Sequence, residues 1–213
     1  MIQIFLLGSS HVYGVGAETS GWADLVKQAL HKKMYSENGI GEKYEIYNFG
    51  FSGATIDFVR DSFPEQLKRY SRGGEIIIVV SIGGNNAKAK DEPDNFVSSV
   101  EEYVKEMNNL LEFLKKSSNH VIMVGSGFYD ESKTNPKTSP FDGRKSYFTN
   151  ARKKEFQKYT KKICLEKEII FVDIGVTDDE WKKKYLYRDG LHSNQQGHEY
   201  ISKKVLAELS KLF

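Results

Sequence analysis

The order of apolar and helix-periodic segments predicts a three-layer α/β/α domain on a mainly parallel sheet of about five strands. Three observations carry that expectation. Strand-like runs alternate with helical segments along the whole chain, which calls for parallel strands joined by crossovers. The runs are continuously apolar, as expected for strands covered on both faces. Most end at Gly, Ser or Asp, residues that stop a strand and open a loop.

Ile2–Leu7 is the first strand and stops at Gly8-Ser9-Ser10. Helical spacing follows over Gly21–Tyr35. Tyr44–Asn48 is the second strand, and Ile56–Tyr70 the next helix. Glu75–Ile82 is the third strand and the longest branched run. The clearest amphipathic helix comes next. It places Val100, Tyr103, Met107, Leu110 and Leu114 on one face, with Asp94 as its N-cap. His120–Gly125 is the fourth strand. Tyr129–Tyr147 is long and irregular, with Pro136, Pro140 and Gly143. At that length it reads as a lid or pocket edge, or as a solvated excursion. A helix is expected over Lys145–Glu166. Within residues 151–168, seven Lys or Arg against three Glu predict a solvated helix face. Ile169–Ile174 completes the sheet. A last helix runs from about Asn194, its N-cap, to Leu212.

No repeat, linker or low-complexity segment interrupts the chain, and 213 residues suit one domain, 1–213, with a full core. Hydrophobic residues make up 39% and charged residues 28%, a globular balance. A net charge of +2 argues against nucleic acid as a partner. The longest apolar run, Ile76–Val80, is far too short to span a membrane. Met1 leads straight into the first strand without a secretory pattern, so a cytoplasmic location is expected. Cys164 is the only cysteine, so no internal disulfide forms, and it reads as a small apolar helix residue. His11, His31, His120 and His198 show no metal-ligand spacing. Gly8, Gly14 and Gly16 do not spell a dinucleotide fingerprint, and there is no Gly-x-Ser-x-Gly elbow. No metal or cofactor is expected.

The chemistry-bearing residues collect at predicted strand ends. In Asp189-Gly190-Leu191-His192 a carboxylate three positions before an imidazole can bind one ring nitrogen and leave the other as a base. Ser10, at the tip of the first strand, is a matching nucleophile. Gly50-Phe51-Ser52-Gly53 and Gly83-Gly84-Asn85-Asn86 follow the second and third strands. Ligands of open parallel sheets bind along this edge. Backbone N–H groups there and the Asn85 amide could serve a developing oxyanion.

At these residues the chain resembles the SGNH (GDSL-type) hydrolase family. Gly8-Ser9-Ser10 matches the first block, usually Gly-Asp-Ser. Gly53 matches the second, Gly83-Gly84-Asn85-Asn86 the third, and Asp189-Gly190-Leu191-His192 the fifth. The run into the last helix, Ser193 to His198, is also similar. The resemblance implies a flavodoxin-like sandwich and a serine esterase working through an acyl-enzyme without a cofactor. It implies Ser10 as nucleophile, His192 as base and Asp189 as its orienting acid. Ser10 N–H, Gly53 N–H and the Asn85 side chain would form the oxyanion hole. Two positions depart from the pattern, Ser9 and Asn86, each standing where the family has Asp; neither is the triad acid. The expected partner is a small-molecule ester. A small acyl group, such as acetyl on a carbohydrate or small alcohol, fits short glycine-rich loops flanked by Tyr13, Phe49 and Phe51. Asn135, Asp142 and Arg144 are available for hydroxyls. An acyltransferase and a lysophospholipase or thioesterase are alternatives on the same site. A catalytically silent binding protein on the same fold is the rival from another class. Oligomeric state is not legible.

Overall fold

In the computed structural model, residues 1–36, 43–139 and 142–213 are described. Pro140, part of the long irregular stretch, lies outside them. From the N-terminus come β1 (Ile2–Gly8), the single turn α1 (Ser10–Tyr13), α2 (Trp22–Tyr35), β2 (Tyr44–Gly50), α3 (Ile56–Tyr70) and β3 (Glu75–Ser81). Then follow α4 (Gly84–Ala87), β4 (Ala89–Lys90), α5 (Val100–Lys116), β5 (His120–Val124), α6 (Glu131–Thr134), β6 (Lys137–Thr138) and β7 (Lys145–Tyr147). The chain continues with α7 (Asn150–Glu166), β8 (Ile170–Val172), α8 (Asp178–Glu180), a π-type turn over Trp181–Tyr185, and α9 (Gln195–Leu209).

The main sheet has five parallel strands in the order β2-β1-β3-β5-β8. Strand periodicity splits its apolar residues between two cores. Ile4, Leu6, Ile77, Val79 and Ile122 face α2 and α9, where Trp22, Val26, Ile201 and Val205 meet them. Phe5, Leu7, Ile78, Val80 and Met123 face α3, α5 and α7, where Phe63, Met107, Leu111 and Phe156 meet them. The two cores make the three expected layers.

The register sets the site. Gly8 pairs with Gly50 on one side and Ser81 on the other, so β1, β2 and β3 end level. Gly8 is required there. Its φ is 153°, and a Cβ would stand 2.1 Å from the Ser81 carbonyl oxygen.

Three sequence expectations are corrected. The Tyr129–Tyr147 stretch is not irregular throughout. β6 and β7 pair antiparallel, and β7 also pairs with β4, giving a small second sheet beside the site. For the same reason α7 begins at Asn150 and not Lys145: residues 145–147 are engaged as a strand. The N-cap of α5 is Ser99 and not Asp94. Ser99 Oγ accepts from Glu102 N–H while the Glu102 carboxylate accepts from Ser99 N–H, a reciprocal box absent at Asp94. Asn194 caps α9 as expected, accepting from Gly197 N–H at 2.9 Å.

Candidate active site

Ser10 opens α1 directly after β1, so its N–H is one of the donors a helix leaves without an internal partner. Its Oγ lies 3.0 Å from His192 Nε2, and His192 Nδ1 lies 2.6 Å from Asp189 Oδ2. With Nδ1–H donating to the carboxylate, Nε2 is left to accept from the Ser10 hydroxyl. Ser10 and His192 are 182 positions apart in sequence.

The loop holding the acid and base is a tight hairpin. Leu186 and Ser193 bridge it, Tyr187 N–H donates to the His192 carbonyl, and Gly190 N–H donates to the Tyr187 carbonyl. Asp189 Oδ1 accepts the backbone N–H groups of Leu191 and His192 at 2.9 and 3.0 Å. Burial opposes the charge on Asp189. The hydrogen bonds from the His192 ring and from these two N–H groups outweigh it and hold the carboxyl well below its ordinary value.

Asn85 and Asn86 differ sharply in their contacts. The Asn85 amide donates to the Ala54 carbonyl at 2.9 Å and also borders the cleft in front of Ser10. Its second N–H remains for a ligand. Asn86 is 1% exposed and ties two segments together. Its Oδ1 accepts the first N–H of α3, from Ile56, at 3.1 Å, and its Nδ2 donates to Ser98 Oγ at 3.1 Å. Gly53, with φ of 86°, lies in the turn just before Ala54 and does not line the cleft. Ser9 borders the cleft, and its side chain makes no capping bond.

The cleft holds about 100 Å³. Its walls are Phe128, Tyr129, Phe148, Phe156 and Trp181, with Lys153 among them. The lining expected from sequence is displaced. Tyr13 and Phe51 are exposed, and Phe49 stacks in the cluster around Phe5. Asp142 and Arg144 pair with each other, and neither they nor Asn135 border the cleft. Sequence reasoning missed two lysines. Lys137, on β6, reaches Asp189, with Nζ 3.4 Å from Asp189 Oδ2 and donating to the Asp189 carbonyl at 3.1 Å. Lys153 belongs to the basic run read as a solvated face, yet it is buried, and burial pushes its ammonium down to about 7.

Two further histidines tie the segments after β1 to the C-terminal part of the chain. His198 accepts from Trp22 N–H at Nδ1 and donates from Nε2 to the Val15 carbonyl, a neutral tautomer. His11 Nε2 lies 2.6 Å from Ser193 Oγ. Burial, then the nearby charges of His198, His192 and Lys153, hold His11 well below the ordinary imidazole value. The buried Cys164 thiol is pushed up to about 12 and stays protonated. Among the described residues no group of three His, Cys, Asp or Glu could hold a metal ion. No helix among them is long and apolar enough to cross a membrane.

Comparison with known proteins follows the same lines. A family model described as GDSL-like Lipase/Acylhydrolase family matches residues 6–200. No curated protein matches the chain. Among solved structures, a lipase/acylhydrolase from Enterococcus faecalis aligns with a TM-score of 0.70 at 19% identity, covering 98% of this chain and 95% of that one. Axe2, an acetylxylan esterase from Geobacillus stearothermophilus, gives 0.67 at 20% identity, covering 97% and 93%. LAE5, an α/β hydrolase from the metagenome of Lake Arreo, Spain, gives 0.69 at 17%, covering 96% and 93%. At these identities the likeness speaks for the fold.

Proposed function

Since the chain belongs to the GDSL-like lipase/acylhydrolase family and is an ester-hydrolysing enzyme, we propose that it works through an acyl-enzyme on Ser10. The substrate is a small acyl group, such as acetyl, on a carbohydrate or other small alcohol. The observation that carries this reading is the unbroken relay from Asp189 through His192 to Ser10, with contacts of 2.6 and 3.0 Å.

Ser10 Oγ attacks the ester carbonyl carbon while His192 Nε2 takes its proton. The carbonyl oxygen becomes an oxyanion, met by the Ser10 N–H and by the free amide N–H of Asn85. Asp189 holds the ring and stabilises the imidazolium without taking its proton. Collapse breaks the bond to the alcohol, which leaves with the proton from His192. Water, deprotonated by His192, then attacks the acyl-enzyme and releases the acid.

Cleft size supports the small acyl group. Its volume of about 100 Å³ is below the ~150 Å³ of an engineered cavity that admits benzene. An acetylxylan esterase among the fold neighbours keeps acetylated sugars among the substrates to test first. A fluorophosphonate probe followed by peptide mass spectrometry should label Ser10 and not Ser9, and Ser10→Ala should abolish turnover. Label on neither serine would sink the reading. Against p-nitrophenyl esters, kcat/KM should peak at acetyl or butyryl. A steady climb to octanoyl, where each buried methylene gains up to ~0.8 kcal/mol, would move the substrate to a lysophospholipid or long-chain thioester.

A further inference from the structure

Lys153 plays no part in the steps above, yet it lines the same cleft as Ser10. It rises from the first turn of α7 and is 6% exposed. Among the described residues its side chain makes no hydrogen bond and no ion pair. Its ammonium lies over the face of the Tyr129 ring, with Nζ 3.9 Å from the centroid. The carboxylate whose field reaches it, Asp178, lies beyond ion-pair distance and is held by Lys182 at 3.0 Å. Its other titratable neighbour, His11, is kept neutral.

A buried ammonium calls for a counter-charge or several acceptors. An aromatic face answers only part of that need. A methionine would fill the same space without the desolvation penalty. The cleft wall therefore presents a buried ammonium without a counter-charge in the same cleft as Ser10.

We propose that the ester accepted here carries an anion, a carboxylate or similar oxyanion, which pairs with Lys153 Nζ while its carbonyl lies at Ser10. This rests on the acyl-enzyme reading above. The anion sits on the acyl half, as in the half-ester of a short dicarboxylic acid, or on the alcohol half. A cleft of about 100 Å³ leaves room for only a short spacer. Lys153 transfers no proton in the reaction. It selects substrate by charge.

The test compares kcat/KM within two pairs of esters. Mono-p-nitrophenyl glutarate against p-nitrophenyl butyrate places the charge on the acyl half. 4-Acetoxybenzoate against phenyl acetate places it on the alcohol half. The wild-type enzyme should favour the anionic member of one pair by about tenfold or more, the worth of one charged hydrogen bond. The pair that shows it assigns the half. Lys153→Met and Lys153→Gln should each collapse the preference towards parity. Wild-type ratios near one in both pairs overturn the proposal and need no variant to fold. So does a preference that survives in both variants. Absence of all ester hydrolysis, with Ser10 unlabelled by fluorophosphonate, fails the acyl-enzyme reading and takes this proposal with it.

Discussion

Asn85 and Asn86 are adjacent and chemically identical, and they should fail differently. Asn85→Ala removes the proposed oxyanion donor. It should cost about 100- to 1000-fold in kcat with the circular dichroism spectrum unchanged. Asn86→Ala leaves the Ile56 N–H buried without its acceptor. It should cost about 1–3 kcal/mol of stability, read as a lower thermal midpoint, with a smaller loss of kcat in the folded fraction. Asn86→Asp keeps the acceptor and should recover most of the midpoint. Equal kcat losses at Asn85→Ala and Asn86→Ala would mean the oxyanion hole is misplaced. Local spacing made the Asp189–His192–Ser10 contacts readable: Asp189 and His192 are three positions apart, and Ser10 follows a run of apolar strand residues. Lys153 was unreadable for the opposite reason. Its neighbours Arg152 and Lys154 are basic too, and only the tertiary packing of α7, which sets Lys153 over Tyr129 and leaves Lys154 exposed, tells them apart. Asn86 carried no signal either, because its partners Ile56 and Ser98 come from distant segments.

At the scale of elements, the five strands and the major helices were legible because each is long, periodic and locally consistent. The short pieces were not. β6 and β7 are two and three residues long, and β7 also pairs with β4, far away in sequence. This small sheet is what brings Lys137 onto Asp189. The contact is partly exposed and worth at most about 1 kcal/mol. Lys137→Met should therefore lower kcat/KM by no more than about fivefold, and limited proteolysis should cut the 129–147 segment faster. A hundredfold loss would show that Lys137 contributes to the chemistry itself. The segment after β5 is less forgiving. A Cβ on Gly127 would stand 1.8 Å from the Trp181 ring. Gly127→Ala must displace a buried indole that walls the cleft, at about 1–3 kcal/mol. Thermal melts should show that loss, together with an altered acyl-chain profile.

For the whole molecule, three buried bases set the response to pH. His11 and His198 are held below the ordinary imidazole value, chiefly by burial, and Lys153 is held near 7 by the same cause. Each folded-state pKa lies below its unfolded value, so the unfolded chain binds more protons between the two. Stability therefore rises with pH across each window. The histidine contributions are lost as pH falls below about 6.5. The Lys153 penalty is full below about 7 and fades towards about 10.5. Asp189 acts only in strong acid: its depressed pKa adds stability above about 4, lost as pH falls further. The thermal midpoint should climb from pH ~5 to pH ~9. Lys153→Met should raise it by several degrees near pH 7 and by less near pH 10. A flat profile would mean that these bases are hydrated in solution. A stabilising variant that forfeits charge selection would be a direct instance of activity traded against stability. The distance in sequence between nucleophile and base, 182 residues, bears on how the enzyme is made. During synthesis Ser10 emerges well before His192, so a chain terminated between them would carry the serine without its imidazole partner. Reactivity of Ser10 towards a serine-directed probe would then report on the closed tertiary fold, in which α9 packs on α2 and the Trp22 N–H donates to His198.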